Sequence, residues 1–147
     1  MTPKGKHKTF DKKLHAAHDP QSREIVKKYY KDKWGIILID GKTRYSVDLI
    51  SEDESMQLEL EHRTNWKEPI FKFPDINVPQ RKFKFFKDGM VDYVILSDDY
   101  SHIGIINGKE IQKYMVDDCL KECRNKHFFT GELFYKIPKD SFTWIKL

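Results

Sequence analysis

Residues 45–63 read YSVDLISEDESMQLELEHR, and their pattern decides the fold. Two apolar stretches flank an acidic, turn-forming SEDES, so the segment reads as two strands joined by a tight turn. Successive side chains of a strand point to opposite faces. Glu59, Glu61 and Arg63 therefore share one face, and Leu58, Leu60 and His62 take the other. The first strand carries one carboxylate, Asp48. Neighbouring carboxylates repel unless a cation lies between them, and a hard divalent ion with oxygen ligands is a natural neutraliser. The plain alternative is a solvated hairpin face with Glu at alternate positions, paired with Lys or Arg.

Upstream, residues 20–33 (PQSREIVKKYYKDK) predict a helix. Ser22 serves as its cap, and Ile25, Val26, Tyr29 and Tyr30 form an apolar stripe at helical spacing. GIILID at 35–40 reads as a buried strand and Asp40-Gly41 as a turn. Residues 44–50 and 56–63 complete a three-strand meander. Residues 1–13 are rich in lysine and poor in packing residues, which predicts a flexible basic arm before a single domain over 14–147.

Downstream, 64–80 contains three prolines and reads as a long irregular connection. QRKFKFFK at 80–87 is a basic, aromatic segment, either a helical turn or a strand, with Phe83, Phe85 and Phe86 placed in the core. VDYVILS and residues 101–106 read as strands, 109–124 as a helix, and the tail as a final strand or hairpin. The fold class is α/β or α+β, a mixed central sheet flanked by helices.

The chain has 147 residues, a formal net charge of +4, 34% charged residues and 14% aromatic residues. This composition belongs to a folded domain with a polar surface, not to a disordered chain. The mildly basic balance favours a polyanionic partner. No apolar run is long enough to span a membrane, and the basic N-terminus lacks the apolar core of a secretory signal, so a cytoplasmic location is expected. Cys119 and Cys123, placed in the last helix, read as reduced thiols. The histidines lack metal-ligand spacing. Neither a nucleophile elbow nor a phosphate-binding glycine loop is present.

Helix, meander, loop, strands, helix and terminal strands, with Asp48 in YSVDLI and Glu59-Leu60-Glu61 in QLELEHR, resemble the PD-(D/E)XK nuclease superfamily. Asp48 matches the family's Asp, and Glu59-Leu60-Glu61 its (D/E)-x-K tripeptide. Val47 replaces a loosely kept Pro, and Glu61 stands where Lys is usual, as in members that carry Glu-x-Glu. The resemblance implies a restriction-endonuclease-like fold and a metal-dependent endonuclease acting on DNA. Mg²⁺ or Mn²⁺ would be held by Asp48, Glu59 and the Leu60 carbonyl. Glu61 would be a second ligand or the general base. Resolvase-like members place a Glu on the first helix, which singles out Glu24 as a further ligand, against a plain role beside the helix dipole.

The catalytic cation, displaced from its usual position, would be Lys82 on the segment after the loop, with Arg63 its rival. Arg63, Arg81, Lys82 and Lys84 would contact nucleic acid. In the plain reading Arg81, Lys82 and Lys84 are charges on an amphipathic segment. Small size implies a phage-type or accessory enzyme, structure-selective like a junction resolvase, and a homodimer is compatible with cutting two strands. The alternative is a catalytically inactive module of the same fold that binds nucleic acid or a protein partner.

Overall fold

The computed structural model describes residues 12–41, 46–122 and 132–147. The first helix, α1 (Lys12–Trp34), begins earlier than the sequence predicts and runs through Pro20. Proline's fixed φ is itself helical, so it removes one hydrogen bond without having to end the helix. Ser22 is consequently not a cap. It is 3% exposed, and its hydroxyl has no hydrogen-bond partner among the described residues. Of the expected basic arm, residues 1–11 lie outside the described residues, and Lys12 and Lys13 open the helix. Gly35 ends it in the left-handed region at φ 68°, where its N–H caps the Lys31 carbonyl at 2.9 Å.

The meander follows as β1 (Leu38–Asp40), β2 (Leu49–Ser51) and β3 (Gln57–His62), all antiparallel, with Ile39 opposite Ile50 and Leu49 opposite Leu58. Residues 42–45, which include the first two positions of the expected second strand, lie outside the described residues. The acidic turn is closed by Asp53, whose Oδ1 accepts from Ser51 Oγ at 2.7 Å, Ser55 Oγ at 2.7 Å and Ser55 N–H at 3.0 Å. These donors, Ser55 foremost, pull the Asp53 carboxyl down to about 2. Contrary to expectation β1 is not a buried strand. It forms the sheet edge, with Ile37 and Ile39 about two-fifths exposed.

The connection 64–80 is not wholly irregular, because it holds β4 (Asp75–Pro79). Ile76 and Val78 are fully buried, and the strand pairs with β8 (Leu133–Pro138), a long-range partner invisible in local sequence. A 3-10 turn (Gln80–Lys82) leads into α2 (Phe83–Phe86). Only Phe86 of the three aromatics is fully buried. Phe85 is partly buried and Phe83 is 37% exposed. The crossover returns as β5 (Val91–Leu96), parallel to β3 with Glu59 opposite Tyr93, and β6 (His102–Ile106) pairs antiparallel with β5.

The expected helix over 109–124 is much shorter. Asn107 caps α3 (Gly108–Gln112) by accepting the Glu110 N–H at 2.9 Å. Val116 is extended, Cys119 sits in a 3-10 turn, and β7 (Leu120–Glu122) adds to β8. Pairing with β8 and packing of Leu120 on the core outweigh the helical spacing of Ile111 and Met115. Cys123 lies outside the described residues. The tail is not a hairpin: β8 and β9 (Thr143–Lys146) join different sheets.

The result is mixed α+β. A six-stranded mixed sheet, ordered β1-β2-β3-β5-β6-β9, carries α1 on one face, with Val26 and Tyr30 packed on Leu49, Leu58, Leu60, Val94, Leu96 and Ile103. Its other face shares a core with α2, α3 and the three-stranded sheet β4-β8-β7, where Tyr93, Ile95 and Phe86 meet Ile76, Val78, Tyr135 and Ile137. No helix of the described residues is long and apolar enough to cross a membrane.

Candidate functional site

Asp48 immediately precedes β2, and the register that sets Leu49 opposite Leu58 brings it beside Glu59. The two are joined reciprocally through the backbone. The Asp48 N–H donates to Glu59 Oε2 at 3.0 Å, and Asp48 Oδ2 accepts the Leu60 N–H at 2.8 Å. The period of the strand puts Leu58 and Leu60 under α1 and leaves Glu59 on the opposite face, 3% exposed. Lys82 reaches it from the 3-10 turn that follows β4, its Nζ 3.0 Å from Glu59 Oε1 and itself only 9% exposed. The strand found inside the proline-rich connection is therefore what delivers Lys82.

A second cation arrives from α1. Arg23 Nη2 lies 3.2 Å from Asp48 Oδ1, and its Nη1 donates to the Asp48 carbonyl at 2.7 Å and to Asp40 Oδ1 at 3.2 Å. Lys27, one turn on, meets the same Asp40 oxygen at 3.2 Å. Sequence reading passed over Arg23 and chose Glu24. Glu24 is 76% exposed and pairs with Lys27 at 3.7 Å, and the structure does not bring it onto Asp48. Its neighbour shares a flank with the buried stripe, since 23, 26 and 30 stack at three- and four-residue spacing, and that spacing is the signal that points to Arg23. Arg23, Glu24, Lys27, Asp40 and Pro20 line a cavity of about 400 Å³.

These cations change the electrostatic argument. The repulsion between Asp48 and Glu59 is balanced by Arg23 on one side and Lys82 on the other. Among the described residues no group of three or more His, Cys, Asp or Glu side chains is placed to hold one. Burial pushes the Glu59 carboxyl above the usual range; Lys82 opposes that rise and the Asp48 charge adds to it.

Glu61 and Arg63 form a separate unit on the same strand face. Glu61 Oε1 meets Arg63 Nη2 at 2.6 Å and accepts the Tyr93 hydroxyl at 2.6 Å. Arg63 also donates to the Tyr93 oxygen at 3.0 Å and to the Asn77 carbonyl at 2.9 Å. Burial raises the Glu61 carboxyl, but Arg63, then Lys82, then the Tyr93 hydrogen bond hold it below the usual range. A carboxylate so stabilised is a weak base, which runs against the expected general-base role. Arg63 is 15% exposed and committed to three partners, which runs against its expected role on nucleic acid and as rival to Lys82. Sequence reading missed Tyr93. The parallel register that sets it opposite Glu59 was the missing information. Arg81 and Lys84, flanking Lys82, are exposed, with Lys84 Nζ 5.0 Å from the Phe85 ring.

His62 is not part of this site. Its Nε2 lies 2.9 Å from the Asp98 carbonyl oxygen and its ring stacks on Tyr100. Compared with family models, with curated proteins and with solved structures, the chain matches none.

Proposed function

We propose that this chain is a metal-dependent endonuclease that hydrolyses phosphodiester bonds in DNA, built on a restriction-endonuclease-like core. One observation carries the reading: Lys82 Nζ lies 3.0 Å from Glu59 in a buried position, and Glu59 is joined through the backbone to Asp48. An Asp, a Glu and a Lys thus converge although the Lys comes from an element after the tripeptide. Support also comes from the succession of helix, antiparallel meander, crossover and parallel strand around them.

Asp48 and Glu59 fit Mg²⁺ or Mn²⁺ in donor type, because each carboxylate oxygen keeps a second lone pair and Mg²⁺ needs only one or two protein carboxylates. When bound, the ion would supply an activated water and neutralise charge on the phosphate. The chain's own groups do the rest. Lys82 offers a compact charge to the phosphoryl oxygens, and its enclosure strengthens that interaction. Glu59, held against Lys82, fixes where that charge sits. Arg81 and Lys84 are exposed on either side to take flanking phosphates of the backbone. The Glu61–Arg63–Tyr93 unit braces β3 against β5.

Calorimetric titration with Mn²⁺ tests the reading. Wild type binds, and Asp48→Ala and Glu59→Ala bind far more weakly. Equal affinity in all three defeats it.

A second reading has its own observation. All four carboxylate oxygens of Asp48 and Glu59 already have a protein donor within 3.2 Å, namely Arg23, the Leu60 N–H, Lys82 and the Asp48 N–H. A cluster balanced in this way also suits an inactive module that binds nucleic acid or a protein, and only cleavage separates the two.

A further inference from the structure

The site holds two carboxylates between two cations, and its charge is balanced as it stands. A divalent ion entering between Asp48 and Glu59 would leave a partly buried site with an excess of two positive charges. One resident cation has to yield. Lys82 is the poorer candidate, being buried beside a buried partner. Arg23 is 21% exposed, lies on Asp48 rather than on the buried Glu59, and borders the cavity of about 400 Å³. It also has somewhere to go. Asp40, 60% exposed, is already held by the same guanidinium at 3.2 Å and by Lys27. Burial raises the Asp40 carboxyl, but Lys27 and Arg23 together outweigh it and keep it below the usual range, so it stays ionised as a fallback partner.

The geometry points to Arg23 as a resident counter-ion that competes with the divalent metal for Asp48 and is released toward Asp40 and the cavity when the metal enters. This rests on the metal-dependent reading above and adds to it a residue that sets the affinity of the site.

Mn²⁺ titration by calorimetry compares wild type with Arg23→Ala, Arg23→Gln and Lys27→Ala, each first checked for its fold by circular dichroism. Arg23→Gln keeps hydrogen-bonding capacity at the position, so it reports even where the alanine variant unfolds. Removing a unit charge within contact distance of the carboxylate predicts Mn²⁺ affinity about tenfold or more higher in both Arg23 variants. Lys27→Ala, which touches Asp40 and not Asp48, changes it by less than about twofold. Binding by the Arg23 variants with none by wild type gives the same answer. If wild type binds and the Arg23 variants bind equally or more weakly, the competitor role is wrong and the metal site stands. If Lys27→Ala tightens binding as much, general charge rather than the Asp48 contact is responsible and the competitor role is again wrong. If no form binds, both the competitor role and the metal-dependent reading fall.

Discussion

Replacing Lys82 with Met separates charge from packing at the centre of the cluster. The methionine occupies similar volume, but buried Glu59 loses the cation at 3.0 Å and, among the described residues, keeps the Asp48 N–H. Breaking a buried pair by removing one partner costs about 3–5 kcal/mol, because the remaining charge is desolvated without compensation. In a domain of this size that lowers the melting temperature by roughly 10 °C. The pH dependence carries the diagnosis. The Glu59 carboxyl already lies above its ordinary range through burial, and losing Lys82 removes the largest opposing influence, so it rises further. A carboxyl whose folded-state pKa exceeds its unfolded value stabilises the fold below the unfolded pKa, and that contribution is lost as pH rises through the folded value. The deficit of Lys82→Met relative to wild type is therefore large at neutral pH. It shrinks to about 1–2 kcal/mol at acidic pH, once the carboxyl is protonated and only an unmade hydrogen bond remains. Urea denaturation of both proteins at the two pH values measures this, and Glu59→Gln added to Lys82→Met restores part of the loss at neutral pH. A deficit independent of pH, or a double variant no more stable than the single, refutes the buried ion pair.

Gly104→Ala places a Cβ 2.6 Å from Trp144 Cζ3 across the β6–β9 pair, so the edge strand is pushed away and stability falls by about 1–3 kcal/mol. An unchanged urea midpoint contradicts that packing. An NMR titration is expected to place the Asp53 midpoint at about 2 in the folded protein, and Ser55→Ala to raise it. Since a depressed carboxyl stabilises above its unfolded pKa, the turn loses that support only as pH falls through about 2. An Asp53 midpoint in the ordinary range shows the turn is built differently.

What was legible in the sequence was local. Alternation along 57–62 separates Leu58 and Leu60 from Glu59 and Glu61 because strand period is a property of neighbouring residues. A short hairpin fixes which residue opposes which, so Asp48 beside Glu59 followed from the same stretch. β4 and β7 were hidden because each is a short strand that exists through its pairing with β8, more than ten residues away in one case and more than fifty in the other. Arg23 was hidden by one residue of helical phase. The pairing of the carboxylates with Arg23 and Lys82 depends on bringing α1 and the turn after β4 to one end of the meander. No window of sequence contains both.

Cleavage tests the central claim most directly. Labelled duplex, nicked and branched DNAs are incubated with wild type and with Asp48→Asn, with Mg²⁺ or Mn²⁺ and with chelator. A nuclease built on Asp48, Glu59 and Lys82 cuts at least one of these substrates only when metal is present, and Asp48→Asn does not cut. If wild type leaves every substrate intact, or Asp48→Asn cuts as fast as wild type, the cluster is not a nuclease site.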